Sequence, residues 1–118
     1  MSRQAFSRQL ARLNRQHLGT SKRVNDTILK IVANGVPETA FRIAGINGEP
    51  VYKLRIRIGH HGSRACRLVF YYKEGTVEPL LIYQKSDKED AAPAEIIAAL
   101  RAADLLPPPR PSGPQSEL

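Results

Sequence analysis

From Tyr52 to Ile58 the chain reads Tyr-Lys-Leu-Arg-Ile-Arg-Ile, apolar and cationic residues in unbroken alternation. A two-residue period separates side chains onto opposite faces only in an extended strand. The stretch therefore predicts a strand that buries Tyr52, Leu54, Ile56 and Ile58 and turns Lys53, Arg55 and Arg57 to the other side. Side chains two apart on a strand lie roughly 6 to 7 Å from one another, close to the spacing of successive phosphates along a single nucleic-acid strand. A rigid row of positive charge at that pitch points to a polyanionic partner.

The distribution of charge supports this. The 118 residues carry a formal net charge of +7, and the chain is long enough for one modest core and too short for two. Six cations from Arg3 to Arg23 precede the first acid, Asp26, and no acid lies between Glu49 and Glu74. The central basic block is thus expected to stand without a local carboxylate, and binding driven by it should weaken steeply with salt. The single cysteine, Cys66, excludes an intramolecular disulfide and, without other thiols, a zinc site; its apolar neighbours predict a small core residue. The opening Met-Ser-Arg-Gln-Ala-Phe has no signal-peptide apolar region, and no apolar run is long enough to span a bilayer. A soluble cytoplasmic protein is the expectation.

Between Ser2 and His17, Phe6, Leu10 and Leu13 recur at helical spacing, and Lys22 to Asn34 presents a stripe of Val24, Ile28, Ile31 and Val32 ended by Asn34-Gly35 and Pro37. From Thr39 the period becomes two. Residues 40–46 predict a weak strand and Asn47-Gly48 a two-residue hairpin turn into Val51–Ile58, with further strands at Cys66–Tyr72 and Val77–Gln84. Pro79 lacks an N–H, so the last strand should be irregular or begin at Leu80. Pro93 and Glu95 suit the first turn of a helix running to about Ala103, and Pro107 onward predicts an extended or disordered tail. The expected fold is α+β: two N-terminal helices on a small antiparallel sheet of three or four strands, then a C-terminal helix. A single domain covers residues 1–106 and a proline-rich tail residues 107–118.

Three stretches in this order, Val51-Tyr52-Lys53-Leu54-Arg55-Ile56-Arg57, Arg67-Leu68-Val69-Phe70-Tyr71 and Ile82-Tyr83-Gln84-Lys85-Ser86-Asp87-Lys88-Glu89-Asp90, followed by the Pro-Ala-Glu-Ile helix, resemble the RelE/ParE superfamily of toxins from type II toxin-antitoxin systems. The resemblance implies a microbial-ribonuclease-style sheet packed against helices and, for the RelE branch, ribosome-dependent cleavage of mRNA without a metal or cofactor. It implies a general base at Lys53, a charge stabiliser at Arg55 and a scissile-phosphate ligand at Arg67. That branch also carries an arginine after the last strand and a tyrosine near the C-terminus. Here the matching stretch offers Lys85, Ser86 and Lys88, and no tyrosine follows Tyr83.

Elementary chemistry agrees in kind. Cleaving RNA through its 2′-hydroxyl needs a base, cations for the charge that builds on phosphorus, and an acid for the departing 5′-oxygen. Like charges at Arg55 and Arg57 are expected to favour a neutral Lys53, and arginine, which keeps its proton, suits the phosphate. The acid is open: Lys85 or Lys88 could stabilise the charge on the leaving group and Tyr83 or a histidine of the His60-His61 loop could donate its proton, with Lys85 preferred over either histidine. Arg57, Arg64, Tyr83 and Lys88 are the further candidate RNA contacts, Tyr83 by stacking. For His60 and His61 the simpler reading is a polar loop, since two adjacent histidines alone make a poor metal site. The expected partners are mRNA on the ribosome and a cognate antitoxin that covers the basic face or displaces the C-terminal helix. Two other readings share these features: a ParE-like gyrase inhibitor, and a non-enzymatic RNA-binding module.

Overall fold

Apolar residues at helical spacing produce two N-terminal helices, α1 (Gln4–Gln16) and α2 (Thr20–Asn34), in a computed structural model that describes residues 4–86 and 90–107. The candidate contact Lys88 and the tail from Pro108 onward lie outside the described residues. A tight turn joins the helices, where the Asn14 side chain accepts the Ser21 N–H at 3.0 Å and the Thr20 hydroxyl donates to the His17 carbonyl. On α1, Phe6 and Leu13 are buried; on α2, Val24 and Ile31 are buried and Ile28 half-buried. Val32, expected in the core stripe, is exposed beside Leu29, because α2 buries a narrower face than its apolar content suggests.

The sheet follows as β1 (Phe41–Arg42), β2 (Val51–Ile58), β3 (Arg64–Lys73) and β4 (Thr76–Gln84), antiparallel throughout and ordered as in the sequence. The expected strand over residues 40–46 shrinks to two residues, which pair with Lys53 and Tyr52. The hairpin turn is nevertheless where Asn47-Gly48 predicts it: both residues have positive φ, 52° and 74°, and the Glu49 N–H reaches the Ile46 carbonyl at 2.8 Å. The side chain of Ile46 is 1% exposed, so core burial takes this segment out of the ladder.

Pro79 sits in β4, which begins at Thr76 and is irregular at the proline, the first of the two expected outcomes. An edge strand tolerates the missing donor, and a register shift at Val69/Phe70 absorbs the mismatch opposite Pro79. After β4 the chain enters α3 (Pro93–Ala102), close to the expected bounds.

The sheet is buried on both sides. Leu54, Ile56, Ile58, Cys66, Leu68, Phe70 and Ile82 pack with α1 and α2. Val51, Val69, Tyr71, Leu81 and Tyr83 pack with Ile96 and Leu100 of α3 on the opposite face. Two helices cover most of one side, whereas the single short helix α3 covers a smaller part of the other. What it leaves open is the part that carries the cations.

Candidate nucleic-acid interface

Directly opposed residues of an antiparallel pair share a face, so the register itself places the basic side chains. Lys53 opposes Val69, Arg55 opposes Arg67, and Arg57 opposes Ala65. Across the next ladder Arg67 opposes Tyr83. Lys53, Arg55, Arg57 and Arg67 therefore lie together on the face that α3 partly covers. Lys85 extends the row: its N–H reaches the Ala65 carbonyl at 3.3 Å and its side chain is exposed, which puts it level with Ala65 just beyond β4.

A carboxylate at the centre of this cluster overturns the expectation of an unneutralised basic block. Asp90 Oδ1 accepts from Lys53 Nζ and from Arg67 Nη1, both at 2.8 Å. The hydrogen bond from Lys53, with the charges of Lys53 and Arg67 added to it, holds the Asp90 carboxyl below the usual carboxylate range. Lys53 and Arg67 are partly screened, with side chains 29% and 19% exposed, while the Asp90 side chain is 53% exposed. One oxygen held by two cations, on a side chain that is itself half exposed, has the geometry of a bound phosphate oxygen.

The residues after Asp90 are tied down as well. The Tyr83 hydroxyl accepts the Ala91 N–H at 3.1 Å, and Glu95 Oε1 accepts the Ala92 N–H at 3.1 Å, which with Pro93 starts α3. Tyr83 is 7% exposed, its ring buried beneath α3. The expected stacking role for Tyr83 is therefore corrected: no base reaches a ring in that position, and its visible work is to fix the backbone next to Asp90.

Arg64 is also corrected. It stands three residues from Arg67 on one strand and opposes Ile58, so it belongs to the opposite face, at the sheet's rim. His60 and His61 form a single 3₁₀ turn with their rings 4.0 Å apart. Among the described residues no group of three or more His, Cys, Asp or Glu side chains could hold a metal ion. Cys66 is fully buried, and burial pushes its thiol up to about 11.

Two clefts flank the cluster. The larger, about 430 Å³, runs along the β1 side and is lined by Phe41, Arg42, Lys53, Arg55 and Arg67. The smaller, about 190 Å³, lies under Asp90 against Val69, Tyr83 and Ile96. Asp90 and Phe41 are the residues that sequence reasoning passed over. Asp90 was hidden in a run of mixed charge that reads as a solvated loop, and no local pattern links it to a lysine 37 positions away. Phe41 was legible only as one apolar residue of a weak strand.

Among the described residues no helix is long and apolar enough to cross a membrane. Compared with known proteins, the chain matches no family model, no curated protein and no solved structure.

Proposed function

We propose that this protein is a cytoplasmic toxin that cuts mRNA on the ribosome and is neutralised by a cognate antitoxin. The observation that carries the reading is the grip of Lys53 and Arg67 on one oxygen of a half-exposed carboxylate, with Arg55 directly opposite Arg67. A site built to hold an anionic oxygen between two cations is suited to a phosphodiester, and the motif order resembling RelE/ParE toxins supplies the reaction.

In this reading the scissile phosphate takes the place of Asp90 Oδ1, and Arg67 and Arg55 stabilise the charge that builds on phosphorus. The 2′-hydroxyl attacks, and the 5′-oxygen departs with a proton supplied from the exposed Lys85. Lys53 serves as the base only after its ion pair with Asp90 is broken and its ammonium proton lost. As long as Asp90 holds it, Lys53 is a donor. Antitoxin binding fits the same face, since an acidic segment laid over these cations bars RNA from them.

The test is an in vitro translation reaction with purified ribosomes. The parent protein is expected to truncate message, and Arg67→Ala to abolish truncation while circular dichroism reports an unchanged fold. Full cleavage by a folded Arg67→Ala variant overturns the site. Lys53→Arg keeps the charge but not the capacity to act as base, so it should lower kcat far more than it weakens ribosome binding.

The neutralising contact of Asp90 also favours a second reading, in which the face docks on DNA gyrase in the manner of ParE and cuts nothing. Gyrase-linked DNA breaks with intact message select that reading. Salt-sensitive RNA binding without either outcome selects a plain binding module.

A further inference from the structure

If RNA lies on the basic face, a reading on which this inference rests, one exposed aromatic side chain takes on a role. Phe41 is 68% exposed, although it belongs to a strand and not to a loop tip. It opposes Lys53 in the β1–β2 ladder, so its ring stands on the same face as the cations, and neighbours in such a pair have Cβ atoms roughly 5 Å apart. The strand beneath it is held in place, because the Ile43 N–H donates to the Val51 carbonyl at 2.8 Å. Phe41 forms one wall of the 430 Å³ cleft whose other sides include Arg42, Lys53, Arg55 and Arg67. That volume falls within the roughly 300 to 1,000 Å³ typical of small-ligand sites.

An isolated exposed apolar residue ordinarily needs no explanation, but the surroundings of this one select its occupant. The buried centres of protein–protein interfaces are depleted in charge, whereas here the cleft that Phe41 walls is also lined by Lys53, Arg55 and Arg67. A flat apolar partner attached to an anion fits both features, and a nucleotide is such a group: the base covers the ring while its phosphate meets the cations.

We propose that Phe41 is a stacking platform for a base of the RNA strand whose phosphate is held by Lys53, Arg55 and Arg67. Recognition through the π-face tolerates any base, so Phe41 would contribute affinity and strand placement more than sequence choice.

The chain contains no tryptophan, so Phe41→Trp creates a single reporter at the site. Short RNA oligonucleotides and an abasic oligonucleotide of equal length serve as probes, at low salt. RNA is expected to quench the emission of F41W and the abasic strand to leave it unchanged. Phe41→Leu retains apolar bulk without a π-face; it should bind RNA roughly tenfold or more weakly than the parent, in line with loss of one base–aromatic stack, and bind the abasic strand as the parent does. Unaltered RNA affinity of F41L, or F41W emission indifferent to RNA, overturns the platform and leaves the phosphate site standing. Failure of the parent protein to bind either probe overturns both.

Discussion

Asp90 changes what Lys53 and Arg67 can do. An acid 37 positions along the chain is held between cations from two strands, and on the proposed reading an incoming phosphate has to displace that carboxylate. If Asp90 competes with phosphate, Asp90→Asn should raise affinity for RNA by roughly two- to thirtyfold, the effect expected of two partly exposed ion pairs. A fall in affinity of similar size, read in the same titration, would show that Asp90 orders the cations. The acid dependence has a definite sign. The folded-state carboxyl lies below its ordinary value of 3.8, so the contribution of Asp90 to stability is present above that value and is lost as pH falls through the lower folded one. A carboxyl carbon NMR titration should accordingly give Asp90 a midpoint under 3.8, rising in a Lys53→Ala variant. None of this was legible locally: strand alternation displayed Lys53 and Arg67 as outward cations, but side-chain pairing across so long a loop leaves no periodic trace.

Among the secondary-structure elements, those with strong internal patterns were the ones the sequence announced. α1, β2 and α3 follow their periods closely, β3 is buried on both faces over residues 68–71, and Asn47-Gly48 turns as its chemistry requires. β1 and the start of β4 were less legible because tertiary demands act there: burial of Ile46 pulls the segment after Arg42 out of the sheet, and an edge position with a bulge makes room for Pro79. The outer edge of β4 has its own protection. Gln9 Oε1 of α1 accepts the Ile82 backbone N–H at 3.0 Å, so a helix side chain takes up a polar group that a further strand would otherwise engage, and the Gln84 side chain donates to Gln16 Oε1 at 2.9 Å, tying α1 to the end of the same strand. Gln9→Ala leaves the Ile82 N–H without that acceptor and should destabilise the fold by about 1 to 2 kcal/mol in urea unfolding, with no loss of RNA affinity. An unchanged midpoint would mean that water replaces the glutamine without cost.

Across the entire fold, asymmetry of coverage creates the open basic face. Two helices cover most of one face of the sheet, and one short helix covers a smaller part of the other, so Arg55, Arg57 and the Lys53–Arg67 pair stand at a boundary between core and solvent. Each phosphate contact on a single strand should add about 0.7 to the slope of log affinity against log salt. Arg67→Ala is therefore expected to flatten the slope by roughly that amount, whereas F41L should leave it unchanged because stacking releases no counterions. Equal slopes for the parent and Arg67→Ala would remove Arg67 from the phosphate path. Periodicity and turn chemistry were enough to specify the α+β class, the helix and strand order and a basic row on one side of β2, since these depend on neighbours within a few positions. Three-dimensional packing alone decided that Tyr83 is buried, that Phe41 projects beside Lys53 and that Asp90 bridges Lys53 and Arg67, because each is set by register across strands or by where α3 docks, and contacts between distant segments obey geometry that no short window of sequence contains.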